Sequence, residues 1–216
     1  MSNPKIITID NLSLQEFDSE ADLIPLLTPE DEEEINNEEL PESLAILPLR
    51  NTVLFPGVVI PITVGRDRSI RLIQDANTGT KLIGVVAQRN AEIEDPGFSD
   101  IHTIGTQATI LRMLRMPDGS TTVILQGKKR FEIKGMVQSD PYFKAQVEAF
   151  HETNNNAKNK EQQALYESLK DHALGVIGLS PDIPSEAGLA IKNINGLSFL
   201  TNFISSNMNA DVAKKQ

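Results

Sequence analysis

The stretch from Leu44 to Ile73, LAILPLRNTVLFPGVVIPITVGRDRSIRLI, most constrains what this chain can fold into. Leu44 to Leu47 is a short apolar strand candidate that stops at Pro48. Directly after Leu54-Phe55, the dipeptide Pro56-Gly57 punctuates the chain as a turn. Val58 to Val64 predicts a second strand, in which Pro61 cannot donate a ladder hydrogen bond and so requires an edge or a bulge. Gly65 breaks this strand, and Ile70, Leu72 and Ile73 follow in a short helix. The resulting order, β-turn-β-α, is an entry to a small barrel.

At 216 residues the chain holds one or two domains, enough for a real core. Its net charge of -10 is unevenly spread. Residues 1 to 42 contain thirteen Asp and Glu against Lys5 alone, whereas residues 43 to 216 carry 17 acids and 19 bases. The acidity therefore belongs to a tail, and the near-neutral remainder has no basic excess for a broad phosphate-binding face. With no cysteine, disulfides and thiolate metal sites are excluded, which suits a reducing compartment. Neither a signal-peptide run nor about 18 continuous apolar residues occurs, so a soluble, cytoplasmic chain is expected.

Three regions follow. Residues 1 to 42 mix apolar islands with the run Glu30 to Glu34, and such composition predicts a disordered arm, either a solvated leader or a docking motif. Residues 43 to 152 are rich in β patterns. Thr106 to Met113 and Ser120 to Leu125 flank the hairpin turn Met116-Pro117-Asp118-Gly119, and further strands are expected at Leu82 to Ala87, Arg130 to Val137 and Phe143 to Phe150. A polar linker ends this part. From residue 158 the apolar period becomes helical: Leu165, Leu169, His172 and Val176 form one stripe, on a helix ending near Gly175 to Gly178 and capped at Asn159. Pro184 opens a second helix with Ala187, Ala190, Ile191 and Ile194 on its apolar side, and Asn195-Gly196 closes it. Ser198 is placed as cap of a third, carrying Phe199, Leu200, Phe203 and Ile204. Asp211 to Gln216 resemble the first turns of another helix with no stop signal, so the chain is expected to continue in a longer protein.

The residues offer no catalytic motif. Gly127-Lys128 lacks both the upstream glycine and the following Ser or Thr of a P-loop. His102, His151 and His172 stand in no metal-binding spacing and read as surface or core-edge histidines, and no GxSxG elbow occurs. A serine-lysine pair needs only to meet in space, so the spacing leaves it open.

The order LR..V.FPG, second strand, GR..S resembles the amino-terminal domain of the Lon ATP-dependent proteases. Two later stretches resemble the same family: VILQGKKRFEIKG with DPYFKAQVE, within Val123 to Glu148, and LSPDIPSEAGLAIKNINGLSFLTNFISSNMN, Leu179 to Asn209. The resemblance implies an α+β chain: a disordered acidic arm (1–42), a small PUA-like β-barrel (43–152) and a helical subdomain (158–216). It also implies a non-catalytic substrate-recognition and assembly domain. The ATP and magnesium sites and a serine-lysine dyad would lie downstream in a hexameric parent that degrades unfolded or damaged clients. A stand-alone adaptor remains an alternative, as does a PUA-like RNA-binding module. The latter is disfavoured by the near-neutral charge and by Tyr142 and Tyr166 being the only tyrosines, with no tryptophan.

Within these motifs, Pro48, Pro56, Gly57 and Gly65 are expected to fix turns. Arg50 and Arg66 are expected to pair with carboxylates or loop carbonyls inside the domain, or else to touch substrate. Lys128-Lys129-Arg130 is placed at a strand entrance, facing solvent. Candidate client contacts are Leu54 and Phe55 in their loop, and Met113, Leu114 and Met116 at the hairpin, because methionine adapts to varied apolar partners. An exposed apolar loop would be a recognition patch and a buried one a core plug. No cofactor or metal is expected on this chain, and it is expected to hydrolyse neither ATP nor protein.

Overall fold

The computed structural model describes residues 39–116, 120–150, 160–180 and 185–216. Most of the expected acidic arm, the tip of the hairpin turn, His151 and the linker with Asn159, and Pro184 lie outside these residues. Among the described residues, six strands and five α-helices follow in order, besides a 3-10 turn at Phe98–Asp100: β1 Ser43–Leu49, β2 Val59–Val64, α1 Asp67–Thr78, β3 Leu82–Ala87, β4 Ile104–Arg115, β5 Thr121–Gln138, β6 Lys144–Ala149, α2 Lys160–Leu179, α3 Ser185–Asn193, α4 Leu197–Asn207 and α5 Val212–Lys215. The fold is α+β.

The strands form one mixed sheet in the order β2-β5-β4-β3-β1-β6, with β5 also pairing β6. Only β1 and β3 run parallel, and the chain between them passes through β2 and α1. α1 turns Leu72 and Ile73 into a core shared with Leu47, Leu49, Val64, Ile83, Ala108, Val123 and Leu125. On the other side, Phe131, Ile46, Val86, Phe143 and Val147 form a second cluster, against which Leu40 packs. The Glu42 carbonyl accepts from the Val147 N–H at 3.0 Å, so Glu42 of the expected arm is hydrogen-bonded to the sheet.

Several expectations are corrected. Pro48 lies within β1 rather than ending it or fixing a turn, in register with Val86. Gly65 has open space around it and carries no positive φ, so neither crowding nor conformation demands glycine there. The two strands expected on either side of Gly127 are one strand of 18 residues. Register shifts opposite Thr106/Ala108 and Ile110/Arg112, and again at Ile133/Gly135 and Met136/Gln138, let β5 continue where a straight strand would leave the core. Pro61, in contrast, sits as expected on a strand paired only through β5.

The turn after Phe55 is seated on that long strand. The Val58 N–H donates to the Phe55 carbonyl at 3.2 Å and Gly57 has φ 78°, a type II turn with proline second and glycine third. The Gly57 N–H donates to the Gly127 carbonyl, and the Gly127 N–H to the Val58 carbonyl, both at 2.9 Å. A side chain at residue 127 would fall inside the van der Waals shell of the Phe55 carbonyl, which explains the glycine.

The helical part packs around Tyr166, Ile191, Ile194, Phe199 and Leu200, with Leu169, Ala173 and Ile177 alongside. The expected stripe on α2 is thus displaced by one position: Tyr166 faces inward, while Leu165 and Val176 are exposed. Spacing of three and four residues from Tyr166 through Leu169 and Ala173 to Ile177 defines the buried face. α2 also passes Gly175 and Gly178 and ends at Leu179. The α3 face matches expectation at Ala187, Ala190, Ile191 and Ile194. Its end is held by Lys170, whose ammonium donates to the carbonyls of Lys192 at 2.9 Å and Ile194 at 3.1 Å. Gly196, not Ser198, occupies the N-cap of α4.

Gly127→Ala is expected to destabilise the chain by about 1–3 kcal/mol through overpacking against the turn. Gly135→Ala, in the same strand but in open space, is expected to be nearly neutral. Urea denaturation of both variants checks the difference, and equal losses would contradict the seating of the turn.

Candidate functional site

Leu54 and Phe55 are 4% and 6% exposed, so neither offers an apolar surface; they are a core plug. Leu54 packs in the α1 core, and its carbonyl accepts from the buried Thr106 hydroxyl at 2.6 Å. The Phe55 ring lies 5.9 Å from the guanidinium of Arg130. This placement corrects the solvent-facing reading of Lys128-Lys129-Arg130: all three lie inside β5 and are half-buried. Arg130 donates to Oδ1 of the buried Asn202 on α4 at 2.6 Å, and the Gln216 amide donates to the Ile104 carbonyl at 3.0 Å. Sheet and helices are thereby tied together at a charged hydrogen bond that sequence spacing does not reveal.

The hairpin behaves differently. β4 is buried from Gly105 to Ala108 and at Ile110, and then alternates between exposed and half-buried through Arg115. Past the core, Leu111 is 37% and Met113 39% exposed, while Leu114 and Met116 are half-buried. The Met116 N–H donates to the Ser120 carbonyl at 2.8 Å and closes the arm. Met113 pairs with Val123, and Val123 with Ile62 of β2, so these three side chains stand on one face across three strands.

Arg50 and Arg66 converge on the loop after β3. Arg50 donates to the Ile93 carbonyl at 3.3 Å, as expected for a loop carbonyl, and Arg66 donates to Oε1 of Gln88 at 2.6 Å. The Gln88 amide in turn donates to the carbonyls of Ile93 and Asn90. Burial first, then the like charge of Arg50, push the Arg66 guanidinium below its ordinary pKa, against the opposing pull of Asp95 and Glu94. Gln88, 2% exposed, was not singled out by sequence; only its position at a strand end hints at a role.

Burial, followed by the charge of Arg89, holds His102 below the usual histidine range. His172 Nδ1 lies 2.7 Å from the Ser168 carbonyl. Among the described residues no three His, Cys, Asp or Glu gather in a metal-holding group.

Taken together, the described residues present an apolar arm and a pair of arginines on a mixed sheet. Residues 43–216 match the family model described as the ATP-dependent protease La (LON) substrate-binding domain. The chain belongs to that family. It is 65% identical over 216 residues to the Lon protease of Flavobacterium johnsoniae, covering 100% of this chain and 26% of that protein. It is 50% identical over 196 residues to that of Cytophaga hutchinsonii, covering 91% of this chain and 24% of that protein. The chain thus spans about a quarter of the length of these curated relatives. In fold, it is similar to the N-terminal domain of the Mycobacterium avium complex Lon protease, with a TM-score of 0.64 at 21% identity over 81% of this chain and 88% of that one.

In this Lon domain, Arg130→Ala and Asn202→Ala are each expected to cost about 1.5–3 kcal/mol, since each removes the charge-assisted hydrogen bond that joins them. The double variant is expected to cost clearly less than the two losses added. Denaturant titration of the four proteins measures the coupling, and strict additivity would contradict the contact.

Proposed function

We propose that this chain is the substrate-receiving and assembly part of an ATP-dependent protease, and that it takes no part in bond cleavage. The observation that carries this reading is the match of the substrate-binding-domain model over residues 43–216. In the parent, cleavage belongs to a serine-lysine dyad and unfolding to an ATPase with magnesium, arranged as a hexamer in the cytoplasm. This chain's residues fit neither group: the sequence has no GxxxxGK[ST], and no metal-holding group occurs among the described residues. No helix among them is long and apolar enough to cross a membrane. The order of strand neighbours, returning from β6 to β5, supports a small PUA-like barrel over residues 43–152, with the helical subdomain at 158–216 leading towards the ATPase. The relatives named above are Lon proteases, which favours this reading over a stand-alone adaptor.

The client is an unfolded or damaged protein, met first by the hairpin arm. Leu111, Met113, Leu114 and Met116 give that arm an apolar surface outside the core. Weak contacts of this kind, repeated around a hexamer, yield avidity without a deep pocket.

Met113→Ser is expected to weaken binding of an unfolded protein about fivefold, equivalent to about 1 kcal/mol, with the melting temperature little changed. Phe55→Ser is expected to lose about 3–5 kcal/mol of stability instead, as a buried aromatic truncation does. Melts run beside binding titrations separate the two effects. Full binding by folded Met113→Ser and Met116→Ser variants would remove the hairpin as the client surface.

A further inference from the structure

The sheet has a gap beside the arm. β1 pairs with β3 through Ile46–Leu49 on one side, while its pairing with β6 stops at Ala45. Among the described strands, β2 pairs only with β5. Between the end of β1 and β2 lies a cleft of about 390 Å³, within the range of small ligand pockets. Pro48 and Pro61 stand on its two walls, and neither has an N–H, so no continuous backbone ladder can form along it. Recognition there must come from side chains and from the helix that opens onto it.

Those groups share one polarity. Arg50, Arg66 and Ser69 line the cleft, and no carboxylate does. Among the described residues each arginine donates to a neutral acceptor, one a carbonyl and one an amide oxygen, and a guanidinium has five donors. Asp67 stands in the first turn of α1, outside the cleft lining, and Asp95 and Glu94 act on Arg66 from the following loop, where Asp95 pairs with Arg68 at 3.8 Å. α1 begins at the same place: Arg66 is its N-cap residue, and no side chain caps its free N–H groups. Ser69, in the first turn, is only 6% exposed overall, and its hydroxyl, with no hydrogen-bond partner among the described residues, stays open to solvent in the cleft. That hydroxyl, two guanidiniums and a helix N-terminus together form a receptor for a carboxylate. The remainder of the wall is apolar, and Ile62 connects it through Val123 to Met113, about 10 Å away at two strand spacings.

We propose that this cleft takes an aspartate or glutamate side chain carried within an extended apolar stretch of a client protein. The proposal rests on the client-binding reading above and adds to it a chemical preference. Charge complementarity selects the acid, the proline-walled gap selects an extended chain, and the arm receives the apolar flank.

The test uses the 216-residue chain and fluorescent ten-residue apolar peptides, blocked at both ends, with a central Glu or Gln. The Glu peptide is expected to bind about tenfold tighter, a difference of about 1.4 kcal/mol. Arg50→Gln and Ser69→Ala are expected to shrink this ratio towards one, whereas Met113→Ser weakens both peptides alike. Arg50 is exposed, so its variant decides the matter even if Arg66→Gln fails to fold. Equal affinities for Glu and Gln peptides would overturn the proposal, as would a ratio untouched by Arg50→Gln. A Gln peptide with a free C-terminus that binds as tightly as the blocked Glu peptide would reassign the cleft to chain ends and overturn the side-chain reading. Loss of the preference with unfolded-protein binding intact leaves the client reading standing, whereas binding of neither peptides nor unfolded protein defeats both.

Discussion

β5 has to serve three neighbours, and the rest of the sheet depends on how it does so. Its first six residues lie between β2 and β4, and its last eight pair with β6. Eighteen residues of straight strand would span about 60 Å, too long for a domain of this size. Bulges bend it, and Gly127 near its middle admits the backbone of the Phe55 turn at a distance no side chain would allow. Because Leu54 enters the core from that turn, the FPG segment acts as a fastening between strands rather than as a loop tip.

Function follows from what this fastening leaves outside. With Leu54 and Phe55 committed to the interior, the apolar surface beside the β2 edge falls to the end of the β4–β5 hairpin, where the strands outrun the core. The Arg130 bond to Asn202 fixes the helical part against the opposite stretch of β5. In the proposed reading, a sheet with a protruding arm and a basic cleft holds an extended chain by many weak contacts and leaves bond cleavage to other modules.

Much of this was legible in sequence because it obeys local rules. Pro56-Gly57 announced its turn, Pro61 announced an edge, and the period-two runs located β2, β3 and β6 to within a residue. The errors arose where tertiary packing overrode local signals. Pro48 was read as a stop, yet β1 carries it because its pairing with β6 has already ended. Two strands are expected at Ser120 to Leu125 and Arg130 to Val137, although Gly127 between them serves a close approach from Phe55 and the strand runs on. On α2, Leu165 and Val176 are as apolar as the buried Tyr166 and the partly buried Ile177, and only the partner helices decide which face turns inward. The bonds of Arg130 to Asn202 and of Gln88 to Arg66 could not have been found by pattern, since each joins different elements.

The central claim is that this Lon domain receives unfolded chains along the β2 edge and the hairpin arm. Two-dimensional amide NMR of the labelled chain, titrated with a permanently unfolded, reduced and alkylated protein, tests it most directly. The account predicts shifts concentrated at Arg50, at Pro61's neighbours through Arg66, and at Leu111 to Met116, with α3 and α4 unmoved. Shifts confined to the helical part, or none at saturating client, would contradict it.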